Sequence, residues 1–263
     1  MMKTLKRLLA GVAVAASLFS LSAPASATLT DWYLNSSGVG GVGSAVLVHD
    51  YLDLTGTAYV HNTFSSATDF TFNEVGSFLS LTADGTTLLN PMLTAKFVGT
   101  GSGTVGGALN FTPGGTLNVF SGVTDIGTFT LEAGSATLNA GTVLPNGAIS
   151  FIFKANSLVA GYFFDSAGTD LSTLLASPGG LVMGFATTNV ILGNTADVPG
   201  GLVTDYNSAF GTSFGTVTAN STTDLSLSNN GQFRLAVPEP SMLSLFGIAL
   251  LGLGFLTRRK FKI

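Results

Sequence analysis

His49, Asp50, Asp53 and His61 lie close together in the chain. Imidazole and carboxylate groups are zinc ligands, so their types alone suggest a metal site. Successive strand residues point to opposite faces, however, so a strand over this stretch separates His49 from Asp50 and leaves the set incomplete. The four are therefore expected to be ordinary surface or strand residues. Asp165, Asp170, Asp69 and Glu74 offer oxygen ligands suited to calcium, without EF-hand spacing. Gly211-x-Ser213-x-Gly215 has the form of a nucleophile elbow, which needs a histidine after the serine; the only histidines, His49 and His61, precede it. Gly38-x-Gly40-x-x-Gly43 and Gly101-x-Gly103-x-x-Gly106 match the dinucleotide fingerprint, which works only between a strand and a helix N-terminus. Strand-like residues follow both, so both are expected to be Gly-rich loops. Trp32, Tyr33, Tyr51, Tyr59, Tyr162 and Tyr206 are rings that could stack on sugars. Their large apolar area favours packing for most, with Trp32 the best candidate for exposure. Glycosidases place two carboxyl groups roughly 5–10 Å apart in a cleft, and no close pair stands out. No catalytic residue, metal or cofactor is expected.

The elements that would position these residues read as strands. Short apolar or alternating runs, such as Phe70–Phe72, Phe129–Leu131 and Ile149–Phe153, are separated by Gly, Asn, Asp, Ser and Thr. Asp84-Gly85, Asn146-Gly147 and Asn230-Gly231 carry the residues that two-residue hairpin turns require. Asp170 to Ala176 suits a short helix, and no long 3.6-residue period appears. Glu74-Val75-Gly76-Ser77 and Glu132-Ala133-Gly134-Ser135 echo each other after Phe-containing runs, which reflects shared strand-to-turn chemistry rather than a repeat array. The fold class expected is all-β and sandwich-like, with phenylalanine, 20 in the chain, as the main core filler.

Charge and hydropathy divide the 263 residues into three parts. Residues 28–236 hold 13 acidic side chains and only Lys96, Lys154 and Arg234 as bases, a net charge of −10. Nucleic acid is excluded as a partner, because phosphate recognition needs clustered Lys and Arg. The chain has no cysteine, so disulfides and Cys-based metal sites are excluded too.

Residues 1–27 have the form of a secretory signal peptide: Lys3, Lys6 and Arg7, then an apolar run from Leu8 to Leu21, then Ala25-Ser26-Ala27. Signal peptidase is expected to cut between Ala27 and Thr28. Residues 237–263 carry three features in order: Val237-Pro238-Glu239-Pro240, an uncharged run from Ser241 to Thr257, and the basic cluster Arg258, Arg259 and Lys260. The run makes a helix of roughly 25 Å, short for a bilayer core of about 30 Å unless basic side chains snorkel. The basic end favours the cytoplasmic side. Val237 and Glu239 each precede a proline and are pushed toward extended backbone, a shape that proteases bind.

The ordered C-terminal features resemble the PEP-CTERM sorting signal of Gram-negative bacteria that make exopolysaccharide. The resemblance implies that an exosortase recognises Pro238, Glu239 and Pro240, with residues 241–257 as a single transmembrane helix and Arg258, Arg259 and Lys260 as the stop-transfer cluster. It implies passage through the secretion machinery and across the inner membrane, transient anchoring, then release to the cell surface or extracellular matrix. Phrases in the body, among them Asp31-Trp32-Tyr33-Leu34, Gly161-Tyr162-Phe163-Phe164-Asp165 and Asn230-Gly231-Gln232-Phe233-Arg234, resemble the flocculation-associated PEP-CTERM proteins. The function this implies is that of a non-enzymatic matrix protein promoting cell aggregation with exopolysaccharide. A carbohydrate-binding module is the alternative, and a polysaccharide-acting enzyme stands third.

Overall fold

The computed structural model describes residues 26–178 and 180–238. Residues 28–236 form one compact unit. The expected signal helix and transmembrane helix lie outside the described residues; Ser26 and Ala27 begin the first strand, and Val237 and Pro238 close the last.

In chain order the strands are β1 (Ser26–Thr28), β2 (Trp32–Leu34), β3 (Val46–Val48), β4 (Leu52–Phe64), β5 (Asp69–Ala83), β6 (Thr87–Thr104), β7 (Ala108–Phe111), β8 (Thr116–Ser121), β9 (Thr124–Leu138), β10 (Pro145–Leu158) and β11 (Phe163–Phe164). Helix α1 (Leu171–Ala176), β12 (Met183–Leu192), helix α2 (Gly200–Phe210) and β13 (Asp224–Pro238) complete the order. The body is all-β, as the alternating runs imply. Its walls belong to one antiparallel sheet that closes on itself, because β13 pairs with β12 on one side and with β4 on the other. β7 and β8 share one position in the ring between β6 and β9. A closed sheet leaves no open edge along its staves.

Alternation decides what fills the barrel. Phe72 on β5, Phe97 on β6, Phe129 on β9, Phe151 and Phe153 on β10 and Phe233 on β13 are buried. Phe97 and Phe111 both meet Phe151, at centroid distances of 5.3 and 4.8 Å. Glycines opposite the rings make room for them. A Cβ on Gly101 would sit 2.3 Å from the Phe72 ring, and one on Gly184 would sit 2.8 Å from Phe233. Gly101 and Gly103 therefore lie in β6, not in the Gly-rich loop expected, because the packed rings select glycine on an extended strand.

The turn chemistry divides the same way. Asp84 and Gly85 both have positive φ in the β5–β6 hairpin, as an Asp-Gly turn requires. Gly147 has positive φ beside a register shift near the start of β10. Asn230-Gly231 lies in the middle of β13, where a Cβ on Gly231 would come within 2.3 Å of the Thr187 carbonyl. Close strand approach, not a turn, requires that glycine.

A small sheet of β11, β2 and β3 packs Trp32 against Phe163 with ring centroids 6.4 Å apart. Trp32 is fully buried, so the expectation of exposure fails. Asn35, next to it, organises the first Gly-rich loop: its side-chain amide donates to the carbonyls of Val39 and Gly41. No helix N-terminus follows there, only a single 3₁₀ turn at Gly41–Ser44. Helix α1 is capped by Asp170, which accepts from the Ser172 amide. Helix α2 covers the outer wall with Leu202, Val203 and Tyr206 and stops at Gly211 in the left-handed conformation.

Candidate functional site

β13 carries the chain toward its C-terminal motif. It pairs with β4 from Asp224 to Phe233 and with β12 as far as Ala236. Leu235 and Ala236 are fully buried. The register with β12 ends where Val237-Pro238 begins, and proline has no N–H to extend a ladder. Of the predicted motif, Val237 and Pro238 close β13, while Glu239 and Pro240 lie outside the described residues, as do Arg258, Arg259 and Lys260. At the other end Ala27 and Thr28 belong to β1, and Ala25 lies outside the described residues.

The metal-ligand candidates are dispersed by the fold. The Asp31 carboxylate meets His49 Nδ1, Asp50 pairs with Arg234 at 3.0 Å, and Asp53 accepts from Thr82 at 2.7 Å and from the Gly85 amide. Asp165 accepts amides of its own turn, from Ala167 and Thr169. Asp69 is bonded by Ser66 and Thr104. Among the described residues no three His, Asp or Glu side chains group as a metal site.

His61 instead joins an arrangement that sequence reading missed. Asp224 Oδ1 accepts from Tyr59 Oη at 2.7 Å and bonds His61 Nδ1 at 2.8 Å, and Asp224 Oδ2 accepts from Thr223 at 2.7 Å. Tyr59 packs on Tyr206 of α2 at 4.8 Å, and Asn73 donates to Tyr206 Oη. Burial opposes ionisation of Asp224, but the bonds from His61, Tyr59 and Thr223 outweigh it and hold the carboxyl below its usual range. Burial, reinforced by the Asp224 carboxylate, pushes the Tyr59 hydroxyl up and keeps it a donor. The partners come from opposite ends of the sequence, joined only by the β13–β4 closure, so no local pattern announces them.

The Gly211–Gly215 motif does come near this histidine: Phe214 lies 5.2 Å from the His61 ring. Its turn is bound by Asn207, which accepts from the Phe214 amide and donates to the Phe214 carbonyl. Among the described residues no hydrogen bond joins Ser213 to His61. What forms is an acid–imidazole–phenol clamp fastening β4 to β13 beside α2.

Inside the barrel, Glu74 is buried and lines a cavity of about 30 Å³ with Phe78, Phe97, Phe151 and Asn229. Desolvation alone pushes its carboxyl up to about 8. Asn229 Nδ2 is buried without a partner in the same cavity. The signal for Glu74 was present in the sequence: it stands two residues beyond Phe72 and four beyond Phe70, on the inward face. Glu132 stands one residue beyond the buried Leu131 and is exposed, so the two echoed segments place their acids on opposite faces.

Of the aromatics proposed for sugar stacking, Trp32, Tyr59 and Tyr206 are buried, and Tyr33, Tyr51 and Tyr162 are half-buried. Residues 236–260 match the family model of the PEP-CTERM protein-sorting motif. No curated protein and no solved structure matches the chain.

Proposed function

We propose, from the premise that this chain is a PEP-CTERM protein, that its barrel is a non-catalytic structural component of the extracellular matrix that promotes cell aggregation with exopolysaccharide. The sorting motif itself marks the chain as an exosortase target destined for the surface or extracellular space. In this reading signal peptidase cuts before Thr28, the segment 241–257 holds the chain in the inner membrane, and an exosortase acts at Pro238-Glu239-Pro240. The single observation that carries the reading is the match over 236–260, which begins at the last β13 residue paired with β12.

Two features support a structural body. The His61–Asp224 pair is spent on fastening strands, with Nδ1 of the imidazole bound to the carboxylate. The acidic surface has few bases and suits a hydrated, soluble cargo. A deletion strain is expected to grow dispersed, and its flocculation should return as fully with Ser213→Ala as with the native gene. Normal flocculation in the deletion strain removes the aggregation role; failure of the Ser213→Ala gene, at native protein level, removes the non-catalytic one.

A further inference from the structure

Strand direction gives the barrel two unlike poles. β5 and β8 end, and β6 and β9 begin, at the pole where β13 finishes: Ala83 pairs with Thr87 and Leu52, Leu52 stands near the end of β13 opposite Phe233, and Ser121 pairs with Leu93 of β6. The body's first residues are at the same pole, where the Leu29 amide donates to the Leu235 carbonyl. Both ends of the body therefore leave from one pole.

That pole carries apolar side chains where turns ordinarily carry polar ones. Val123, at the tip of the β8–β9 hairpin, is 98 % exposed, and Leu88 and Met92, on the neighbouring arm of β6, are 75 % and 50 % exposed. Leu81 joins them across the β5–β6 hairpin. The strands behind these tips bury their apolar residues in the barrel, so the tips are not an extension of its core. Asp84, the acidic residue of the adjacent turn, is already engaged by the amides of His49, Asp50 and Tyr51.

We propose that this pole is a lipid-contacting surface: Val123, Leu88, Met92 and Leu81 dip into the face of the bilayer while the chain is anchored. The occupant follows from where the chain goes. Only Glu239 and Pro240 separate the end of β13 from the apolar run that begins at Ser241, and the three Cα–Cα steps from Pro238 to Ser241 span no more than about 11 Å. The pole from which β13 leaves is thereby held within reach of any membrane that takes up that run. Amphipathic tips of this kind gain from partial burial at the headgroup boundary. The inference rests on the proposed membrane-anchored stage.

The chain has no cysteine, so each single substitution creates one labelling site. Full-length Val123→Cys, Ile191→Cys and Ile248→Cys would each be labelled with an environment-sensitive dye and reconstituted in phosphatidylethanolamine–phosphatidylglycerol vesicles. Ile191 is a control, an exposed apolar residue near the opposite pole. Labels at 123 and 248 should shift to shorter wavelength and be quenched several-fold more by lipid-borne nitroxides than the label at 191. Adding Leu88→Ser and Met92→Ser should weaken quenching at 123 and leave 248 unchanged. Quenching at 248 with none at 123, or equal quenching at 123 and 191, overturns the lipid-contacting pole and leaves anchoring intact. Absence of quenching at 248 overturns anchoring and this inference with it. A label at 123 shielded by a second copy, insensitive to lipid quenchers, overturns the inference in favour of self-association.

Discussion

Glu74 and Asp224 are both shielded from solvent, one inside the barrel and one on its outer wall beside α2, and their acidities move in opposite directions. The difference lies in partners. Glu74 meets only desolvation among phenylalanine rings, so its neutral form is favoured. Asp224 is also desolvated, yet a phenol, an imidazole and a hydroxyl converge on its two oxygens and favour the charge. The barrel interior tolerates an acid by keeping it protonated; the outer wall uses one as a fastener.

The sharpest way to expose that contrast is pH. A carboxyl whose folded pKa is raised stays protonated while the unfolded chain ionises, so the body loses stability as pH rises from about 4.5 to about 8. At about 1.4 kcal/mol for each pKa unit, the loss is on the order of 5 kcal/mol. Glu74→Gln should abolish most of this slope in urea unfolding across that window. An unchanged slope in Glu74→Gln would show that the interior does not hold a neutral acid.

Asp224 carries the opposite sign. Its folded pKa is depressed, so its contribution is present above the unfolded value and is lost as pH falls through the folded one, in the acid range below about 4. Asp224→Ala leaves Tyr59 and His61 without their acceptor and should destabilise the body by about 2–3 kcal/mol at neutral pH. Tyr59→Phe removes one bond to the charged group and should cost about 1.5 kcal/mol. Equal stabilities for Asp224→Ala and the native body would reduce the clamp to a surface contact.

How much of this was legible in the sequence depended on the range of each interaction. The C-terminal sorting motif is defined by contiguous proline, charge and hydropathy, so it could be read directly. The Asp84-Gly85 turn and the Asp170 cap are likewise local. Glu74 reads in sequence as a calcium-ligand candidate at a strand-to-turn step, whereas β5 runs on through it and its register with Phe70 and Phe72 turns it inward. The β13–β4 closure was not legible, because it joins residues such as His61 and Asp224 across most of the body. The same limit hid the clamp, the burial of Trp32 against Phe163, and the reason for Gly231. Helix α2 escaped notice because Leu202, Val203 and Tyr206 form a single short apolar patch after two glycines, too brief for a helical period to emerge.

The central claim is that the barrel is cargo between two removable addresses. Intact-mass measurement of the protein from its native cells, with the surface and medium fractions analysed beside the cytosol, tests it most directly. The account predicts a surface or released species that begins at Thr28 and lacks residues 241–263. A full-length chain, from Met1 to Ile263, dissolved in the cytosol would contradict it.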